Sequence, residues 1–546
     1  EDVFTACEAI EGRVDNGLDC DDFDVLVHPM AEERCNGIDD DCDGALDEGV
    51  TSLDWYADAD GDGYGDSTDV MSDCADVPGR VLNDLDCNDL NPAIYTGAVE
   101  YLDKIDNDCS GVVDDLVTDH ATLRLDGSDA SVGFGYSLDG LSDIDADGFT
   151  DLVVGGHGAG AIRVFSGGLL DGSSESSDAL VTLTGTDPSF GRTVCFLDDL
   201  NMDGEVDLAV GSPDEITASG GTGSVQIYYG PLDGLDGTEA PDDEISASSG
   251  GVFGGTVADA GMLEAGTRYL AVYGSIKTGD ATGLYLYQTV SEGDVDGVIL
   301  ASSISGSGSG DEFGHALAAG HDLNGDGLDD LIVGAPSAGT GDEFQGAAYV
   351  FLSPYRTGLD VADADHAIQG DANGDDFGFA MAMIEDWDGD GAPDVVISAP
   401  GAESSAGKAY LLQPMALGDA VDASGMAYAT FEGEGGGLGT GVSASGDLDG
   451  DGMNELVLGA PSLDIEETSE GAAYLYWSSG GSGVLTPDAS IEGVASHVHL
   501  GRALSGVVEA SSGALLWQAV GGWGSDSEVG GDSAIEAGSV WFFGWD

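Results

Sequence analysis

Basic residues are nearly missing from this chain. Its 546 residues hold 12 Lys plus Arg against 105 Asp plus Glu, a formal net charge of −93. Such a surface repels nucleic acid and anionic lipid and attracts divalent cations or basic partners, so no nucleic-acid role is expected. No apolar run is long enough to span a bilayer, so no membrane insertion is expected either. Helical periodicity is absent and proline is sparse, at 14 residues. Neither G-x-S-x-G nor H-E-x-x-H occurs, which excludes the nucleophile-elbow and zinc-helix layouts of hydrolases. Gly-rich runs such as G-E-G-G-G-L-G-T-G from Gly433 precede no helix and are not phosphate loops.

What is present is glycine, 90 residues of it, and 42% hydrophobic residues delivered in short regular runs. Those runs argue against disorder despite the acidity, and the pattern of short runs and turns predicts an all-β fold. Cysteine divides the chain. Cys7, Cys20, Cys35, Cys42, Cys74, Cys87 and Cys109 crowd residues 1–118, and Cys195 alone follows. A small cysteine-dense acidic domain held by disulfides and metal is expected at 1–118, outside the cytoplasm, ahead of a large domain at 119–546.

The stretch D-L-N-G-D-G-L-D-D-L-I-V-G-A-P from Asp322 has the spacing of a calcium loop. Asp322, Asn324 and Asp326 stand at positions 1, 3 and 5, Gly327 at 6, the Leu328 carbonyl at 7 and Asp330 at 9. A hard cation takes six to eight oxygens, and such a loop supplies them. Position 12, the bidentate Glu of an EF-hand, is Val333 here, and the flank is a strand. The same loop recurs as Asp143, Asp145, Asp147 and Asp151; as Asp199, Asn201, Asp203 and Asp207; as Asp386, Asp388, Asp390 and Asp394; and as Asp447, Asp449, Asp451 and Glu455. Carboxylates committed to calcium cannot serve as general acid or base, so these loops are expected to be structural.

Each loop follows an F-G or L-G pair. The pairs begin at Phe134, Phe190, Phe253, Phe313, Phe377, Leu438 and Leu500, spaced between 56 residues (134 to 190) and 64 (313 to 377). The third and seventh units lack the acid loop, and most loops lead into strands ending G-A-P, S-A-P, G-S-P or G-G. Seven units of about four strands predict a seven-bladed β-propeller. The last unit stops after G-S-V-W-F-F-G-W-D, whereas A-T-L-R-L-D-G stands alone at Ala121. Residues 121–125 are therefore expected to close blade seven, removing an exposed sheet edge. The units resemble FG-GAP repeats, as in integrin α subunits and related bacterial surface proteins, over residues 120 to 546. The resemblance implies structural calcium in loops joining the two inner strands of a blade, and a role in adhesion. A WD-repeat propeller is the rival, but Trp387-Asp388 lies inside an acid loop.

A second period of 67 residues relates Cys7, Cys20 and Cys42 to Cys74, Cys87 and Cys109. Each copy ends in an acid loop: Asp39, Asp41, Asp43 and Asp47 in one, Asp106, Asp108 and Asp114 in the other. A third loop, W-Y-A-D-A-D-G-D-G-Y-G-D, offers Asp58, Asp60, Asp62 and Asp66. The pattern C-N-G-I-D-D-D-C-D-G-A-L-D-E-G from Cys35 resembles the MopE-type metal-binding repeats of bacterial surface proteins. Copper needs imidazole or sulfur, and only His28, with His120 just beyond, is at hand, so calcium is expected at about eight sites in all. The first copy lacks the W-Y segment ahead of Cys7, so residue 1 is expected to be a processing point or the limit of what is observed.

The repeat suggests Cys7–Cys20, Cys74–Cys87 and Cys35–Cys42 as disulfides, leaving Cys109 free, paired with Cys195 or linking two chains. Cys195 fills a slot held by Asp139, Ala258, Ala318, Ala382, Ser443 and Ser505 in the other units, a place for a buried free thiol. His497 and His499 are expected at the surface rather than on a metal. The resulting expectation is a secreted or surface-displayed bacterial protein, its leader removed or unseen, that is not an enzyme. Its partner is an unidentified protein or glycan, and the loop-free faces of units three and seven are candidate contact surfaces. The alternatives are a self-assembling filament or matrix subunit docked through its N-terminal arm, and a propeller hydrolase or lyase acting on polysaccharide.

Overall fold

The computed structural model describes the chain except residues 1–17, 22, 102, 118–120, 122, 128–132, 157, 159, 168–178, 219, 233–234, 236, 238, 248–251, 276–282, 293–294, 309, 341–342, 356–357, 385, 388–390, 414–420, 448–452, 466–468, 479–480, 494–497, 509–514, 523–538 and 545–546. It divides into two units, Glu1–Glu100 with Ile105–Val113, and Tyr101–Lys104 with Asp114–Asp546.

The larger unit is a seven-bladed propeller. Blade one runs through strands Phe134–Ser142, Asp151–Gly156, Ala161–Phe165 and Val181–Thr184, each antiparallel to the last. Blade four repeats this with Leu317–His321, Asp330–Ala335, Ala347–Phe351 and His366–Gln369. The first strands of successive blades touch in cyclic order, and that of blade seven, Ala503–Val508, touches that of blade one. Blade seven closes with strands from both ends of the chain: Leu123–Asp126 pairs with Ser539–Gly544, Leu125 opposite Val540.

The blade edges are covered by a second device that the sequence pattern does not announce. Leu359–Asp360, from blade four, lies parallel to the outer strand of blade three; Val421–Asp422 does the same on blade four and Gly483–Leu485 on blade five. On blade six the place is taken by Asp115–Val117, the segment that precedes the closing strand of blade seven. Each cover strand occupies an edge that would otherwise present unpaired backbone groups.

Seven apolar clusters form the core, one between each neighbouring pair of blades. The F-G and G-A-P motifs explain how the blades approach. Phe190, Phe313 and Phe377 are completely buried in these clusters. The glycine after each takes a positive φ, +98° at Gly314 and +89° at Gly378, which only glycine adopts without strain. The glycine before A-P or its equivalent faces the F-G glycine of the next blade. A Cβ on Gly155, Gly334 or Gly459 would strike the carbonyl oxygen of Gly191, Gly378 or Gly501 respectively.

The smaller unit has little core: Val27, Trp55, Ile94 and Ala98 are its buried apolar residues among those described. A hairpin of Leu53–Ala57 and Asp66–Asp73, with Arg80–Val81 beside it, is its regular structure. Disulfides do the rest, and they correct the expected pairing. The bonds are Cys20–Cys42, Cys87–Cys109 and Cys35–Cys74, with Cα separations of 5.7, 5.9 and 5.6 Å. Neither Cys74–Cys87 nor Cys35–Cys42 forms, Cys109 is paired, and Cys7 lies outside the described residues. The reason is local folding. In each copy the acid loop curls so that its own cysteine, Cys42 or Cys109 at φ +61° or +59°, meets the cysteine that opens the module 22 residues earlier. Cys35 is thereby left to bridge to the end of the hairpin.

Candidate metal-binding loops

The propeller loops are shaped by their own backbone. In the fourth blade Asp322 accepts hydrogen bonds from the N–H groups of Gly325 (2.7 Å), Asp326 (3.1 Å) and Gly327 (2.6 Å). Asn324 Oδ1 accepts from Asp326 N–H at 2.9 Å, and Asp326 Oδ1 from Leu328 N–H at 3.0 Å. The second blade repeats this with Asp199, Asn201 and Asp203 bonded to Gly204, Asp203 and Glu205 N–H groups. The first does so with Asp143, Asp145 and Asp147 bonded to Gly148, Asp147 and Phe149. Asp386 accepts from Gly391 at 2.9 Å. Asp388, Asp390, Asp449 and Asp451 lie outside the described residues. These bonds fix the turn of each loop through its own side chains.

The ninth position has a role that spacing alone does not reveal. Asp151, Asp207, Asp330, Asp394 and Glu455 begin the second strand of their blades and are buried. One oxygen accepts from the N–H at position 2: Ile144 (2.7 Å), Leu200 (2.9 Å), Leu323 (2.9 Å) or Trp387 (2.9 Å). The other accepts from beyond the third strand: Gly167 (2.9 Å) for Asp151, Gly230 (3.0 Å) for Asp207 and Ser353 (2.7 Å) for Asp330. Glu455 accepts from the Ser478 hydroxyl at 3.2 Å. Asp151, Asp207 and Asp330 therefore each clamp three parts of a blade, with lone pairs still to offer an ion. Burial pushes Asp151 up to about 7 and Asp207 and Asp330 to about 6, the backbone bonds opposing it and the neighbouring loop aspartates adding to it. At Asp322 burial acts in the same upward direction, but the N–H groups of Gly327, Gly325, Asp326 and Asn324 outweigh it and hold the carboxyl low.

In the small unit Asp39 accepts from Asp43 (3.0 Å) and Gly44 (2.9 Å), Asp41 from Asp43 (3.0 Å), and Asp43 from Ala45 (2.9 Å). The second copy has Asp106 accepting from Ser110 (3.0 Å) and Gly111 (2.9 Å), and Asp108 from Ser110 (2.9 Å). Asp47 turns back to the N–H groups of Asn36 and Gly37, and Asp114, in the propeller unit, does the same with Asp103 and Lys104. Both act as turn clamps. Residues missed by the loop pattern join the clusters: Glu33 groups with Asp39 and Asp41, and Glu48 with Asp41 and Asp43. Glu33 accepts from Asp41 N–H at 2.8 Å, as Glu100 does from Asp108 at 2.6 Å. The 67-residue spacing of Glu33 and Glu100 was the available signal.

In the third loop Asp58, Asp60 and Asp62 converge, but Asp66 is turned to Thr68, accepting from its N–H and its hydroxyl at 2.7 Å each. Asp86 and Asp89 stand beside Asp60 instead.

The donor chemistry fits a hard cation. Among the described residues, buried carboxylate oxygens of Glu48, Asp60, Asp62, Asp86, Asp114, Asp143 and Asp386 meet no hydrogen-bond donor, a costly state that a cation relieves. Copper does not fit the small unit: its described cysteines are all in disulfides, and the Nδ1 of exposed His28 sits 3.2 Å from the Pro29 carbonyl oxygen. His120 and His497 lie outside the described residues; His499 Nδ1 is 3.0 Å from the Pro461 carbonyl oxygen. Cys195 is the free cysteine among those described and is partly buried, not fully so as its slot suggested.

Comparison with known proteins finds two kinds of repeat in the chain. The family described as FG-GAP repeat matches residues 190–228, 313–351 and 438–476, and that described as "Putative metal-binding motif" matches 19–48 and 86–115. Integrin alpha-PS5 of Drosophila melanogaster is 34% identical over 170 residues, 31% of this chain and 16% of its own length. Integrin alpha pat-2 of Caenorhabditis elegans is 34% identical over 175 residues, 29% of this chain and 14% of its own. Integrin alpha-7 of Mus musculus is 35% identical over 152 residues, 27% and 12% of the two chains. The chain thus spans about a sixth or less of the curated relatives it matches. Among solved structures, a chain of a humanized mutant of the Chaetomium thermophilum Polycomb Repressive Complex 2 bound to the inhibitor GSK343 gives a TM-score of 0.47 at 8% identity, covering 78% of this chain and 97% of that one. The Dos1 propeller gives 0.37 at 10%, covering 72% and 74%. The chain carries FG-GAP repeats like those of integrin α subunits in its propeller, preceded by two MopE-type metal-binding motifs.

Proposed function

We propose that this is an extracellular, calcium-braced adhesion or interaction protein without enzymatic activity. The observation that carries the reading is the shared architecture of the acid loops. In the propeller each joins the first two strands of a blade, and carboxylates such as Asp151 and Asp330 clamp backbone, which suits bracing. Calcium suits an all-oxygen donor set at about eight loops, five in the propeller and three in the small unit. Disulfides in a unit with almost no core support an oxidising, extracellular or surface setting. No helix among the described residues is long and apolar enough to cross a membrane. A net charge of −93 directs the search for partners toward basic proteins. The test is solid-phase binding of the calcium-loaded chain to panels of extracellular proteins and glycans, repeated after chelation. Saturable binding that vanishes with EGTA is expected. Equal binding with and without calcium, or turnover of a polysaccharide, would sink the proposal.

One observation favours the assembly alternative. The small unit exposes Phe23 (99%), Met30 (93%), Leu90 (86%) and Val25 (85%), more apolar surface than a solitary module needs. A sedimentation series should show association that is lost on deleting this unit. A monomer at every concentration would remove the alternative.

A further inference from the structure

We propose that Asp60, Asp86 and Asp89 together hold a divalent cation of the calcium class, tying the loop after the first hairpin strand to the turn that opens the second cysteine module. The proposal rests on the reading of the acid loops as cation sites, but it assigns one site to residues from two segments rather than to one loop.

The ligand oxygens of these three aspartates lie within 4.8 Å of one another, the largest separation that ligands about 2.4 Å from a shared ion can have. Each carboxylate is aimed by one backbone N–H. Asp60 Oδ1 accepts from Asp62 at 3.3 Å, Asp86 Oδ1 from Asn88 at 2.7 Å, and Asp89 Oδ1 from Ala59 at 2.6 Å, the last bond already joining the two segments. Asp86 N–H donates to the Gly65 carbonyl at 3.1 Å, a second tie.

Independent of the clustering, Asp86 is 3% exposed, and its Oδ2 is buried without a donor, as is that of Asp60. A carboxylate oxygen so placed is destabilising unless something positive meets it. No cationic side chain is within ion-pair distance of Asp60, Asp86 or Asp89 among the described residues. Neighbouring Cys87 is locked to Cys109, so sulfur is not on offer and the donors are oxygen alone. Asp66, the ninth residue of the loop by spacing, is engaged by Thr68.

The test is calorimetric titration of the metal-free full chain with Ca²⁺, comparing wild type, Asp86→Asn with Asp89→Asn, and Asp66→Asn. Asparagine keeps an acceptor for the Asn88 and Ala59 N–H groups, so the fold should survive, as circular dichroism and the disulfide map would show. The double variant should bind one ion fewer than wild type, whereas Asp66→Asn should bind the full number. Should the double variant misfold, Asp89→Asn alone should weaken one site by at least about tenfold. An unchanged number and affinity in the Asp86 and Asp89 variants would overturn the proposal, as would loss of the ion in Asp66→Asn. Asp322→Asn separates this from the broader reading. If that variant loses a propeller ion while the Asp86 variants lose none, only the composite site fails; if no protein binds Ca²⁺, both fail.

Discussion

Asp139 shows what a single position contributes. It occupies the slot that holds Cys195 in the next blade, and its Oδ2 accepts from Phe196 N–H at 2.7 Å. Burial pushes its carboxyl up to about 6, while the N–H groups of Phe196 and Gly140 and the Cys195 thiol pull the other way. Burial also pushes the thiol up, and the charges of Asp139 and Asp259 add to it. An acid with a raised pKa in the fold binds its proton more tightly there than in the unfolded chain. Its ionisation therefore costs stability progressively from about pH 4 to pH 6, and the cost is complete above that. Asp139→Asn keeps the acceptor and removes the charge. Its melting temperature should exceed that of wild type by a few degrees at pH 8 and match it below about pH 4. No gain at pH 8, or a gain that grows on acidification, would contradict this account. The slot is legible in the sequence, where the seven units align. The charge cost is not, because it comes from the strands that enclose the slot.

At the scale of the element, the glycine pair between blades is the part most open to test. Gly334 lies in a strand and faces the Gly378 carbonyl of the next blade, with Met381 Cε 2.9 Å from where a Cβ would stand. Gly334→Ala should destabilise the propeller by about 1–3 kcal/mol, the usual cost of overpacking, in a denaturant melt. Gly308→Ala, where a Cβ meets nothing within 4 Å, should change nothing. Equal effects would show that the close approach is not what the glycine is for. The motif was plain as a string, but its cause needed the neighbouring blade. The acid loops were legible in the same partial way. Positions 1, 3 and 5 stand out by spacing, and in the structure each accepts hydrogen bonds from N–H groups of its own loop. Position 9 emerged as a clamp onto the third strand, because that strand's end is distant in sequence and close in space.

For the whole molecule, calcium removal and disulfide mapping are the decisive measurements. An ion that binds only the folded chain adds about 2.7 kcal/mol at a hundredfold excess over its Kd, so EGTA should lower the melting temperature sharply and extra calcium should raise it. An unmoved transition would refute structural calcium. Peptide mapping without reduction should return Cys20–Cys42, Cys35–Cys74 and Cys87–Cys109, and a Cys74–Cys87 peptide would refute the small unit's fold. The sequence by itself determined the all-β class and the number of blades, and it pointed to a closing strand at 121–125 where the structure has Leu123–Asp126, because repetition at a fixed period needs no knowledge of distance. Tertiary structure alone decided which cysteines pair, which aspartates converge on Asp60 and which segments cover the edges of blades three to six. Those choices depend on how turns bring separated segments together, and spacings of 13 and 22 residues recur alike in both copies, so spacing does not say which pair is bridged.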